Sequence, residues 1–157
     1  MADNLRGVQS LYRVIDSLKT ELINNDFCNS VTVGELTELD LQKQTVFPLA
    51  NITVNSVTHN TNSLTFDVTI TNVDIVEISK DEPENLIYNN DNLIYIWSNQ
   101  LFVINKLVSR IKASKIYETW EILNDPQSEF INKEFENMLA GCQTTLNITV
   151  PNDISTC

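Results

Sequence analysis

The hydrophobic pattern of this chain switches period along its length, and that switch constrains the fold more than any other feature. From Leu5, apolar side chains fall at Val8, Leu11, Tyr12, Ile15, Leu18 and Leu22, the spacing of one face of an α-helix. The same spacing returns after Leu93, at Ile94, Trp97, Leu101, Ile104, Val108 and Ile111. Between and after these stretches the period is two. Ile52 and Val54 alternate with Thr53 and Asn55, and Leu64, Phe66, Val68 and Ile70 alternate with Thr65, Asp67, Thr69 and Thr71. A helix-period segment cannot bury its stripe as a strand, nor the reverse, so the chain must combine both kinds of element around one core.

The local signals set expected boundaries. Asp3 or Asn4 can cap the first helix, and Asn24 and Asn25 should end it, because Asn competes for backbone hydrogen bonds and tolerates a left-handed conformation. Phe27 and Cys28 then dock on the core. The turn residues of 59–63 join two strands into a hairpin whose Thr-rich side faces away from the helices. The second helix should run from Leu93 to about Ala113, with Lys106, Arg110, Lys112 and Lys115 towards the end that favours cations. Residues 116–123 and 142–150 read as strands separated by a turn at 124–126. Residues 129–139 fit either a short amphipathic helix or an edge strand, and residues 31–46 are ambiguous, with Gly34 breaking whatever precedes it. The expectation is one α+β domain over all 157 residues: an antiparallel-rich sheet of about four to five strands against two main helices, in the order α-β-β-α-β-β.

Charge narrows the function. With 21 Asp and Glu against 10 Lys and Arg, the net charge is -11, which opposes wrapping nucleic acid or docking on an anionic membrane. Three Cys, at 28, 142 and 157, are odd in number and lack any CxxC or CxxH grouping. They signal neither a disulfide framework nor a zinc site, and suit a reducing compartment. The first ten residues show no apolar signal-peptide core, and no apolar run approaches the roughly 20 residues that span a bilayer, so the chain reads as cytosolic and membrane-free.

Catalytic groupings are missing from the sequence. The three glycines, Gly7, Gly34 and Gly141, cannot make a phosphate-binding loop. His59, the one histidine, falls in a turn and reads as solvated. Glu118 and Glu121, if on a strand, point to opposite faces, and the carboxylates of 81–84 lack the ligand spacing of a calcium site. Cys28 and Cys142 read as small core residues, and Trp97, Phe102 and Trp120 as core aromatics, since no basic residues stand beside them to make a base-stacking platform. No cofactor, metal site or enzyme activity is expected.

Several segments together carry a resemblance: NNDFCNSVTVG after the first helix, TVFPLANITV, the Thr-rich hairpin, the second helix, and the closing MLAGCQTTLNITVPND. Over nearly the whole chain these resemble the tail terminator, or tail completion, proteins of tailed bacteriophages, with FPLANI and LAGCQTTLNITVPN the most telling stretches. The resemblance implies a structural virion protein, assembled in the host cytoplasm, that forms a ring, usually hexameric, at the head-proximal end of the tail. Such a ring ends tail-tube growth and joins tail to neck. Its partners would be other copies of itself, the tail tube protein, a neck, stopper or connector protein, the sheath, and genomic DNA passing through an acidic lumen without specific binding. Two polar loops flanking the sheet, residues 34–44 and 79–91, are the expected working parts. Their candidate interaction residues are Glu35, Glu38, Asp40, Gln42, Gln44, Asp81, Glu82, Glu84 and Asp91. Another neck component, or a small-molecule-binding α/β domain, are the alternatives.

Overall fold

The computed structural model describes residues 9–35, 46–77, 91–134 and 138–152. The elements run α1 (Gln9–Ile23), β1 (Ser30–Val33), β2 (Leu49–His59), β3 (Ser63–Ile75), α2 (Leu93–Lys112), β4 (Glu121–Ile122), β5 (Ser128–Glu134) and β6 (Leu139–Pro151). The α+β class holds, with a six-stranded mixed sheet in the order β1-β2-β3-β6-β4, and β5 also paired to β6. The ambiguous stretch after Val31 supplies β1, which pairs parallel to β2, while every other pairing is antiparallel. Of residues 129–139, those from Glu129 to Glu134 take the strand alternative, in β5, and Leu139 opens β6, while 135–137 lie outside the described residues.

The two long central strands, β3 and β6, pair over their whole lengths from Ser63↔Pro151 to Ile75↔Leu139. Their alternation puts Leu64, Phe66, Val68 and Ile70 on the same side as Cys142, Leu146, Ile148 and Val150. On that side they pack with Val14, Leu18 and Leu22 of α1 and Val103, Ile104, Leu107 and Ile111 of α2 in one core. Each fully buried aliphatic side chain there contributes about 1.5–3 kcal/mol relative to exposure. The opposite face carries the expected Thr ladder, in which Thr65 and Thr149 hydroxyls lie 2.9 Å apart and Thr69 and Thr145 hydroxyls 3.1 Å apart. One end of that face is not polar: Leu49, Val73, Ile131 and Leu139, with Phe47, form a second small core.

Three expectations need correction. The strand expected over residues 116–123 shrinks to Glu121–Ile122. Residues 116–120 form turns instead of extending, and ahead of them α2 closes at Ser114, which adopts φ 54. There Ser114 N–H donates to the Ile111 carbonyl at 3.0 Å and Lys115 N–H to the Arg110 carbonyl at 2.9 Å. These are the two bonds of a Schellman closure. Trp120 then turns in, N–H to the Tyr117 carbonyl at 3.3 Å, and is only 6% exposed.

The second correction is the face of α2. Its ends match expectation, but the buried residues are Leu93, Ile96, Gln100, Val103, Ile104, Leu107 and Ile111. Of the expected stripe, Ile94 and Leu101 are exposed. Helical spacing fits two adjacent stripes equally well, and contact with the sheet selects the one that contains Gln100, whose amide donates to the Phe27 carbonyl at 3.4 Å. The third correction follows: Phe102, read as a core aromatic, is 53% exposed.

Candidate interaction surface

The rejected stripe of α2 is the starting point of the site. β4 pairs with β6 at Ile148 and Thr149, whereas β5 pairs with it only up to Thr144. Residues 123–127 leave the sheet between them, tied back by Leu123 N–H to the Asn147 carbonyl at 3.1 Å. The flank of α2 overhangs this gap. Ser98, Leu101, Phe102, Asn105 and Val108 from the helix and Pro126, Ser128 and Thr144 from below line a groove of about 520 Å³. Its floor is fixed, because the Ser128 and Thr144 hydroxyls are hydrogen-bonded to each other at 2.7 Å.

Aromatic pairs brace α2 from two directions. Phe27 meets Phe102 edge-on, with centroids 5.9 Å apart. Trp97 lies 5.0 Å from Phe130 and donates its indole N–H to the Ile131 carbonyl at 2.9 Å. Phe27, Leu101, Phe102 and Phe130 are nevertheless all more than a third exposed. Large apolar side chains held rigid by neighbours yet left in water have the character of a protein-contact surface.

Among the described residues, polar groups form ion pairs on other faces. Arg110 pairs with Glu21, Nη2 to Oε1 at 3.0 Å, tying α2 to α1. Lys112 Nζ donates to Asp125 Oδ1 at 2.7 Å, and this hydrogen bond lowers the Asp125 pKa. Glu118 and Glu121 do not point apart as a strand reading would have it. Because Glu118 sits in the turn, both line one shallow hollow with Lys112 and Ser114. Among the described residues no group of three His, Cys, Asp or Glu is placed to hold a metal ion. Burial pushes the Cys28 thiol pKa up and the Cys142 thiol to about 12, which keeps both protonated and unreactive at neutral pH.

Of the sequence-selected residues, Glu35 is exposed just beyond β1. Asp91 is half-buried and accepts the Leu93 N–H at 3.2 Å, helping to start α2. Beside it Asn92 Oδ1 accepts the Glu77 N–H at 2.8 Å, which closes the base of the acidic loop. Glu38, Asp40, Gln42, Gln44, Asp81, Glu82 and Glu84 lie outside the described residues. Helical spacing alone did not single out the α2 groove. The available signal was the width of the apolar arc, which runs through both stripes and exceeds what one sheet face can cover.

Comparison with known protein families and with curated proteins finds no match to this chain.

Proposed function

We propose that this chain is a structural assembly subunit of the tail-terminator kind its sequence resembles. Copies would associate side to side into a ring, with other ring surfaces meeting the tail tube and the neck. The observation that carries this reading is the uncovered stripe of α2, in which Leu101 and Phe102 stand exposed along a groove that no described element fills. A heterologous contact that closes by rotation needs two unlike surfaces on each subunit, and a fixed apolar groove on one side of the sheet suits one of them. The net charge of -11 suits a lumen past which DNA slides without adhering.

The test is the mass and shape of the purified protein. Light scattering and negative-stain imaging should give a closed ring, and a Leu101→Asp/Phe102→Asp variant should give folded monomers with an unchanged circular dichroism spectrum. A wild-type chain that stays monomeric at millimolar concentration overturns the reading, as does a ring that survives both substitutions.

A further inference from the structure

The turn that follows α1 holds an exposed phenyl group with buried polar side chains. Asn24 N–H donates to the Thr20 carbonyl and Asn25 N–H to the Leu22 carbonyl, each at 3.2 Å, as the helix runs out. The chain then reverses, closed by Cys28 N–H on the Asn25 carbonyl at 3.0 Å, and Asn29 N–H fixes the far side on the Pro48 carbonyl at 2.8 Å. Within this turn Phe27 is held by both of its backbone polar groups. Its N–H donates to Asn25 Oδ1 at 3.2 Å, and its carbonyl accepts the Gln100 amide at 3.4 Å. Asn25 is 5% exposed and Gln100 1%, whereas Phe27 is 37% exposed.

Stability alone would not select this arrangement. Gln100 stands in the buried stripe of α2 with Ile96, Val103, Ile104 and Leu107, where burial strips its amide of water and freezes a flexible side chain. A hydrogen bond of 3.4 Å is long and offsets little of that loss. What the amide supplies is position, because it ties the middle of α2 to the peptide of Phe27. The side chain so placed meets Phe102 edge-on at 5.9 Å, and Phe102 lines the groove. Phe27 thus continues the groove wall from α2 onto the turn after α1.

We infer that Phe27 belongs to the contact surface that the groove begins, and that Asn25 and Gln100 are its positioning residues, setting the Phe27–Phe102 pair in one orientation before a partner arrives. The inference rests on the ring reading for its partner, a neighbouring copy, and adds the residues that preorganise the contact. Aromatic anchors fixed in advance bind well because they have little freedom left to lose.

The test is the dissociation constant of the assembly, measured by sedimentation for wild type, Phe27→Ala, Gln100→Met and the double variant. Phe27→Ala should weaken association at least about tenfold, the scale of one interface anchor. Gln100→Met keeps the length of the side chain and removes its donor. It should weaken association by a similar factor while its urea midpoint falls no lower than that of wild type. In the Phe27→Ala background it should add nothing, since a positioning residue has no effect once the group it positions is gone. A purely structural Gln100 gives the reverse, a lower midpoint with association unchanged. Should Gln100→Met fail to fold, Asn25→Ala releases the Phe27 N–H from the other side and should show the same dependence on Phe27. The proposal is overturned if Phe27→Ala leaves association intact, if the folded positioning variant does so, or if that variant weakens association equally with and without the Phe27 side chain. Rings that withstand these substitutions sink this proposal alone, and a wild-type chain that never assembles sinks the ring reading and this proposal with it.

Discussion

Gly141→Ala should be among the most damaging single-methyl changes in this protein. Gly141 lies in β6 between Val73 of β3 and Ile131 of β5, so it is flanked on both edges. A Cβ built there sits 1.7 Å from the Asn72 carbonyl oxygen, 2.8 Å from its carbon and 2.9 Å from Val73 Cα, all of them backbone atoms of the neighbouring strand. No side-chain rotamer can relieve that clash. Reaching even the 3.0 Å floor for such contacts needs a separation of 3.0 − 1.7 = 1.3 Å. Strands spaced about 4.8 Å apart cannot part so far without losing the local ladder bonds. Overpacking of a tight interior costs about 1–3 kcal/mol, and two lost hydrogen bonds add about 1–3 kcal/mol. A loss of roughly 4 kcal/mol is therefore expected from a total that is about 5–15 kcal/mol in domains of this kind. At this chain length that lowers the melting temperature by roughly 8–16 °C. Urea unfolding followed by circular dichroism, alongside a calorimetric scan, measures both quantities. A Gly141→Ala protein within about 1 kcal/mol of wild type would refute the reasoning, since it would mean that β3 and β6 are free to move apart.

Two further outcomes concern the interior. Thr71 is fully buried and, among the described residues, its hydroxyl has no hydrogen-bond partner, so Thr71→Val should raise stability by about 1 kcal/mol in the same urea assay, because it removes an unsatisfied polar group at constant shape. The Cys142 thiol, held at about 12 against an unfolded value of 9.0, links stability to alkaline pH. Its contribution is complete below pH 9 and is lost as pH rises towards 12, because only the unfolded chain releases the proton in that window. Wild-type stability should therefore fall between pH 9 and 11 more steeply than that of a Cys142→Ala variant, by up to about 1.4 kcal/mol per pH unit.

The helices, the hairpin and β6 were legible in the sequence because each is specified by neighbours a few residues apart. The ends of α2 were legible for the same reason: cations in its last turn and polar residues before its first are local signals. The acidic composition likewise needed no structure. Tertiary structure decided which of the two apolar stripes of α2 is buried, since the sheet can cover only one and neither spacing nor hydrophobicity distinguishes them. It also decided that residues 116–120 turn in instead of extending, because a turn closed by Trp120 N–H on the Tyr117 carbonyl buries the Trp120 side chain in the core. The groove is a remainder, surface left over where, among the described residues, β4 and β5 do not fill every position beside β6. Such remainders belong to the pairing of segments far apart in sequence, and only the folded chain shows where they fall.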